Sequence, residues 1–395
     1  MSRIDDLIAH HCPNGVDFIE LQELFTTRNG YTPSRRKPEY WDNGTIPWFR
    51  MDDIRANGNV LSKSTEYITD SAVKKGRLFP ADTLIVATSA TIGVHALIEI
   101  PFLCNQRFTA LIINKEYKDL FRIKFLFYYC YVLDEWCLRN TTQSSFAAVD
   151  IKRFQHFKFP VPPLEVQDDI VRILDSFTEL EAELEAELEA RRKQYEYYRD
   201  SLLNLENLTR RLGQDNVSLM SLGDIFDMKA GKNKAAKFIS ATKTIDQAVP
   251  CYGGNGIRGF VEDYNQDSEI VLIGRQGALS GNVHYSNGRI YATEHAVVVT
   301  PKSDINMRFA YYLLTVANLN QYVTKSAQPG LSVRRLNTVP VPVPPLSEQE
   351  RIVGILDKFD ALVNDLSSGL PAEILARRKQ YEYYRDRLLT FTPAK

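Results

Sequence analysis

The sequence predicts an α+β fold built twice: two mixed helix-and-strand blocks, each followed by a long helix. Three internal repeats predict it. Val161–Phe177 (Val-Pro-Pro-Leu-Glu-Val-Gln at its start) returns 182 residues later as Val343–Phe359, with 11 of 17 positions identical. Ala190–Asp200, reading Ala-Arg-Arg-Lys-Gln-Tyr-Glu-Tyr-Tyr-Arg-Asp, returns unchanged as Ala376–Asp386 at an offset of 186, so the second copy holds four extra residues between its motifs. Val16–Phe25 before Gly30 and Val217–Phe226 before Gly231 share their spacing at an offset of 201. Self-similarity on this scale means one structural plan used twice, a pseudo-two-fold internal repeat.

Local patterning justifies each element. Apolar runs at Thr83–Val86, Phe108–Ile113, Glu269–Ile273 and Ala296–Val299 read as strands, and Tyr117–Leu138 and Met307–Val323 as helices. Pro160, Pro162 and Pro163, and later Pro340, Pro342, Pro344 and Pro345, end a strand and launch a helix. Ser347 with Glu350 reads as a capping box for the second helix. Ile170, Ile173, Leu174, Phe177, Leu180, Leu184 and Leu188 form one apolar stripe, and no Gly or Pro interrupts residues 164–212. A helix of ~40 residues is about 60 Å long, which suits a spacer or coiled coil. Ser367-Ser368-Gly369-Leu370-Pro371 should break the second helix. Between Glu179 and Ala190 the tetrapeptide Glu-Leu-Glu-Ala occurs three times, its glutamates reading as a solvated face. The expected division is 1–160 and 213–342 for the blocks, and 161–212 and 343–395 for the helical spacers.

Composition excludes several classes. With 395 residues, 44% hydrophobic and 25% charged, the chain is globular and of two to three domains. It has no apolar stretch of membrane-spanning length and no apolar signal-peptide core after Met1, so a cytoplasmic protein is expected. Five scattered cysteines, never spaced as CxxC, predict reduced thiols and no structural zinc. Residues 1–164 carry net charge +2, 165–200 carry −7, and 217–343 carry +4. Two mildly basic blocks flank an acidic segment, the minimum signature of phosphate-binding surfaces. Gly254-Asn-Gly256-Ile-Arg-Gly259 matches a dinucleotide fingerprint only in letters, since extended sequence surrounds it. No phosphate loop, metal-ligand set or spaced histidine set occurs, and the carboxylate-x-Lys tripeptides at Glu116, Asp150 and Asp227 are no more frequent than chance allows. No catalytic residue is nominated, and no metal site.

The duplicated motifs, with Ile46-Pro-Trp48, Tyr252-Gly-Gly-Asn-Gly256 and Leu272-Ile-Gly-Arg275, resemble the specificity subunit of type I restriction-modification enzymes over essentially the whole chain. The resemblance implies two α+β target recognition domains, each reading one half of a bipartite DNA target. They would be separated by two long helices packed as an antiparallel coiled coil. It also implies a non-catalytic subunit of a type I deoxyribonuclease and adenine methyltransferase complex, active in phage defence. Its partners would be double-stranded DNA, two modification subunits using S-adenosylmethionine and two restriction subunits using ATP and Mg²⁺; this chain would bind none of these cofactors. A stand-alone sequence-specific DNA-binding protein is the alternative.

DNA contacts require basic, amide or aromatic side chains on loops. The candidates are Arg28, Arg35, Arg36, Lys37, Arg50, Arg107 and Gln143 in the first domain. In the second they are Lys232, Lys234, Tyr252, Asn255, Arg258, Arg275, Lys325, Arg334 and Arg335. Tyr195, Tyr198 and Leu202, with their twins Tyr381, Tyr384 and Leu388, share a helix face and are candidates for partner binding, since two copies of one partner need the same surface twice.

The tetrapeptides predict a ruler. One added Glu-Leu-Glu-Ala unit lengthens a helix by about 6 Å and rotates its far end by roughly 40°, close to the rise of one to two base pairs and the rotation of one. A variant with four units should methylate the same half-sites with a spacer longer by about one base pair. Sequencing of its methylated motif checks this; an unchanged spacer would refute it.

Overall fold

The structure, a computed structural model, describes residues 10–142, 147–277, 279–324 and 330–395. The chain forms two compact units, Met1–Glu183 with Leu375–Lys395, and Leu184–Ile374. The first unit contains strands β1 (Asp17–Glu20), β2 (Phe25–Asn29), β3 (Ile46–Phe49), β4 (Val60–Leu61), β5 (Tyr67–Ile68) and β6 (Thr83–Ala87). There follow β7 (His95–Ile98), β8 (Leu103–Cys104), β9 (Phe108–Ile113), β10 (Thr141–Thr142), β11 (Ala148–Val149) and β12 (Lys158–Val161). A five-stranded sheet, β2-β9-β6-β7-β4, is its centre. Side chains alternate across it. Leu84, Val86, Leu97 and Leu111 pack with Phe125, Leu126 and Leu133 of the helix Ile123–Arg139. Ile85, Ala87, Ala96 and Ala110 pack with Trp48, Phe49, Phe79 and Phe102 beneath the small sheet β5-β3-β8. The continuous apolar run of β6 therefore reflects burial on both faces.

The second unit repeats this plan with β13 (Ser218–Ser221), β14 (Phe226–Ala230), β15 (Val249–Gly253), β16 (Gly256–Val261) and β17 (Gln266–Asp267). It continues with β18 (Ile270–Gly274), β19 (Val283–Ser286), β20 (Arg289–Ala292), β21 (Ala296–Pro301) and β22 (Pro340–Val343). The sheet β14-β21-β18-β19 turns Val271, Ile273, Val297 and Val299 toward the helix Met307–Val316. Its other face, Ile270, Leu272 and Val298, meets Tyr252 and Ile290. A ribbon closes each unit: β1 pairs with β12, Asp17 opposite Val161, and β13 with β22, Ser218 opposite Val343.

The first repeated motif forms one 40-residue helix, Leu164–Leu203, which ends at Asn204 rather than running on to 212. Asn204 caps the next helix, Leu205–Leu212, its side chain accepting from the Asn207 amide. The second copy is two helices, Leu346–Asn364 and Leu370–Leu388. Asp365 organises the break by accepting from the amide and hydroxyl of Ser367 and from Ser368 Oγ, bonds that hold its carboxyl at about 2. The helix start at Leu346 corrects the capping-box reading: Pro345 occupies the cap, no side chain caps it, and Ser347 lies inside the helix. The positioning is done instead by Gln349, buried, which donates to the Pro344 carbonyl at 2.9 Å and accepts from the Asn306 amide at 3.0 Å. Gln167 does the same with Pro162 and Arg122, at 2.9 and 2.8 Å.

Within each unit two helices pack antiparallel. Phe177 stacks on Tyr384 at 5.6 Å in the first unit, with Glu181 paired to Arg378 at 2.5 Å. Tyr198 stacks on Phe359 at 5.4 Å in the second. The tetrapeptide glutamates are otherwise exposed, and Leu180, Leu184 and Leu188 are buried or half-buried.

Removing the Gln349 amide strands the half-buried Asn306 amide and the buried Pro344 carbonyl. Gln349→Ala should therefore cost about 1–3 kcal/mol, read as a lower urea midpoint with unchanged slope.

Candidate nucleic-acid interface and repeated helix face

Four backbone hydrogen bonds recur in both units and define one edge. Asn105 donates to the Phe49 carbonyl and Thr293 to Tyr252, each at 3.0 Å. Thr88 donates to Arg107 and Arg275 to His295, each at 3.0 Å. Gly30 donates to Phe108 and Gly231 to Ala296, each at 3.0 Å; Tyr31 donates to Cys104 at 2.8 Å and Lys232 to Ala292 at 3.0 Å. The end of β3 or β15, the turn after β6 or β18, and the turn before β9 or β21 thus meet where the loop after β2 or β14 begins. Only glycine fits that loop start, since a Cβ on Gly30 would lie 2.2 Å from the Asn105 carbonyl oxygen, and one on Gly231 2.3 Å from that of Ala292.

In the first domain this edge gathers Arg35, Arg50 and Arg107. Glu66 pairs with Arg35 at 2.5 Å and Arg50 at 3.1 Å, and Arg35 lies 3.6 Å over the Trp41 ring. Lys37 lies against Tyr40, whereas Arg36 and Arg107 are exposed. Arg28 is committed within the domain: it donates to the Leu78 and Arg77 carbonyls and covers Phe79. Gln143 lies outside the described residues.

In the second domain, Gly254 and Asn255 form the turn of the β15–β16 hairpin, so the glycine pattern is a hairpin and not a nucleotide loop. Asn255 accepts from Asn282 at 3.2 Å, Tyr252 is buried behind it, and Arg258 is exposed. Lys234 pairs with Asp263 at 2.5 Å, and Lys232 is exposed. Leu331 donates to the Arg275 carbonyl at 2.8 Å, bringing the short helix with Arg334 and Arg335 to the same edge. Arg335 donates to the Tyr322 carbonyl, Arg334 is exposed, and Lys325 lies outside the described residues.

Unmet polar groups mark this edge. Of the seven buried side-chain atoms without a hydrogen-bond partner among the described residues, five lie here, Arg50 Nε (3.3 Å from the Asp52 carboxylate), Arg275 Nε, His284 Nε2, Glu294 Oε2 and His295 Nδ1, the other two being His95 Nε2 and Asp134 Oδ1. Such atoms are rare in folded proteins and call for a ligand, a water or a function. Glu294 and His295, paired with each other at 3.2 Å, and His284, whose imidazole burial holds below its ordinary value, were not singled out from the sequence. They sit in or beside strand-like runs, and only the cross-strand register brings them to the glycine turn. Beside this edge a cleft of about 420 Å³ is lined by Tyr252, Asn255, His284, Tyr285, Arg308 and Tyr311.

On the repeated helices, Tyr195 (8% exposed) and Leu388 (0%) are buried in their own units, Leu202 and Tyr381 are half-buried, and Tyr198 and Tyr384 carry the stacks on Phe359 and Phe177. The stripe thus serves intrachain packing. The aromatics most exposed on these helices are Tyr197, at 69%, and its twin Tyr383, at 54%, while Tyr198 keeps 40% of its surface exposed beside its stack. Arg192, Lys193, Glu196 and Asp200 are exposed around the one, and Arg378, Lys379, Glu382 and Asp386 around the other. A large aromatic off the packing stripe was the signal that would have found them.

Two copies of one α+β plan, each followed by a copy of the same helix motifs, define a tandem-repeat protein. Residues 13–190 and 214–376 match the type I restriction modification DNA specificity domain. The chain is 51% identical over 365 residues to the type I restriction enzyme EcoprrI specificity subunit of Escherichia coli, covering 89% of each. It is 32% identical over 288 residues to the Escherichia coli EcoR124I/EcoR124II specificity subunit, covering 64% of this chain and 69% of that one. Among solved structures, the S subunit of a type I system from M. genitalium superposes with a TM-score of 0.56 at 18% identity, over 95% of this chain and 96% of that one. The HsdS subunit from Thermoanaerobacter tengcongensis gives 0.51 at 16% identity, over 95% and 97%. The chain belongs to the family of type I restriction-modification specificity subunits. Among the described residues no helix is long and apolar enough to cross a membrane.

The hairpin turn constrains β18: a Cβ on Gly274 would lie 1.9 Å from the Gly254 carbonyl oxygen. Gly274→Ala should push the turn away and cost about 1–3 kcal/mol by overpacking, seen as a lower thermal midpoint.

Proposed function

We propose that each recognition domain reads one half of a bipartite DNA target through this edge, and that the repeated helix faces dock two modification subunits, which two restriction subunits then join. One observation carries the reading: the backbone framework is the same in both domains while its side chains differ. Arg50, Asn105 and Arg107 stand in one where Gly253, Thr293 and His295 stand in the other. A shared frame with exchanged side chains is what reading two different half-sites requires. Arginines at such an edge suit guanine or phosphate, and Glu294 suits an exocyclic amino group.

The chain performs no catalysis in this reading. S-adenosylmethionine, ATP and Mg²⁺ belong to the partner subunits, and methyl transfer and cleavage occur there. Two faces of identical sequence and matching exposure, around Tyr197 and Tyr383, support the partnered reading over a stand-alone DNA-binding protein, which has no use for them.

The test has two parts. Size-exclusion of the chain with its modification subunits should give one complex, and exchange of residues 20–155 for those of a relative should alter one half of the methylated motif. No complex, or both halves changing together, would sink the proposal.

A further inference from the structure

We propose that the segment Ser240–Gln247 is a DNA-inserting tip, with Ile245 touching a base and Lys243 lying against the backbone. The inference rests on the DNA-reading role proposed above.

Ile245 is 98% exposed, although isoleucine is among the side chains most favoured by burial. The turn that presents it is closed, not slack. Thr244 donates its amide to the Gln247 carbonyl at 3.1 Å, and the Gln247 amide donates to Thr244 Oγ1 at 3.0 Å. The Gln247 side chain donates to the Phe238 carbonyl at 3.2 Å. Ser240 and Phe260 exchange backbone hydrogen bonds of 2.9 and 2.8 Å, which anchor the segment to β16. The chain's own bonding thus holds an apolar side chain out in water.

The surroundings select the occupant. From Gly231 to Gln247 the loop carries Lys232, Lys234, Lys237 and Lys243 against one acid, Asp246. Lys232, Lys237 and Lys243 are exposed, as is Phe238. A cationic loop with an apolar tip fits a polyanion that offers apolar surface inside its grooves. DNA offers it as the thymine methyl in the major groove or as the faces of an unstacked step in the minor groove. The corresponding loop of the first domain folds its aromatic inward, Trp41 packing 5.1 Å from Trp48 beneath Arg35, so the tip belongs to the second domain alone.

The test uses the complex with modification subunits and a duplex carrying its methylated motif. Ile245→Ala should weaken binding about tenfold with an unchanged log–log salt slope, because an apolar contact releases no counterions; Lys243→Gln should reduce that slope by about 0.9. Replacing thymines of the second half-site by deoxyuridine should weaken the parent complex at one position and leave Ile245→Ala indifferent, if the methyl is touched. A 2-aminopurine signal that rises with the parent and not with Ile245→Ala marks an unstacked step instead. Unchanged binding by Ile245→Ala overturns the inference. So does weakened binding with neither dependence, or loss of the modification subunits on size-exclusion, which would make the tip a protein contact. Failure of the underlying reading looks different: the parent complex would not distinguish its motif from a scrambled duplex.

Discussion

One aspartate in each copy, Asp175 and Asp357, ties a recognition domain to the helix that follows it, and the rest of the structure depends on the pair. Asp175 accepts from Tyr128 Oη and Lys124 Nζ, both at 2.6 Å. Asp357 accepts from Tyr312 Oη at 2.6 Å and Arg308 Nε at 2.7 Å, while Arg308 also reaches Asp360 at 2.8 Å. Burial, then the aspartate, raises both tyrosine hydroxyls far above their ordinary value, so they stay protonated and donate. The two clamps are not equal. Lys124 is nearly half-exposed, and such ion pairs contribute about 0–1 kcal/mol. Arg308 is half-buried, lying over Tyr285, Tyr311 and Tyr312, and it bonds two aspartates where Lys124 bonds one. Burial alone would lower the Arg308 guanidinium, but the carboxylates of Asp357 and Asp360 hold it charged.

Around these clamps the repeat divides labour by exposure. One side of the Arg-Arg-Lys-Gln-Tyr-Glu-Tyr-Tyr-Arg-Asp motif is spent on packing, through Tyr195 and Tyr198 in one unit and Tyr381 and Tyr384 in the other. The other side, with Tyr197 or Tyr383, stays outside. Identity between the copies serves the stack on phenylalanine in each unit, and it leaves the same outer surface on both. The glutamates of the tetrapeptides, exposed apart from Glu181, make that stretch unfit for phosphate.

Much of the recognition edge was hidden from one-dimensional reading. Arg35, Arg36 and Lys37 were legible because three cations bounded by prolines can only be a surface loop. Arg28 looked equally suitable, yet its guanidinium is consumed by the Arg77 and Leu78 carbonyls and Phe79. Glu294 and His295 were not singled out, and they reach the candidate edge because Arg275 donates to the His295 carbonyl across the sheet. Such a bond depends on register between strands some 20 residues apart, and residue type carries no trace of it. The Ser347 cap failed for a related reason: the buried Gln349 ties the helix start to Pro344 and Asn306.

The sequence by itself determined the duplication, the α+β class, the 40-residue helix and the break at Ser367–Pro371, since these rest on identity, periodicity and the conformational limits of proline and glycine. Tertiary structure alone decided which copy packs with which. Phe177 and Tyr198 belong to the same copy but lie 21 residues apart on one unbroken helix, about 31 Å. They cannot meet. Phe177 therefore takes Tyr384, and Tyr198 takes Phe359, each stack joining one copy to the other. The second copy, broken at Asp365–Gly369, has no such rigid rod to forbid a self-contained pair, and its two helices carry the same phenylalanine and tyrosine as the first. Where two surfaces are identical in sequence, only the geometry of the intervening chain chooses between them.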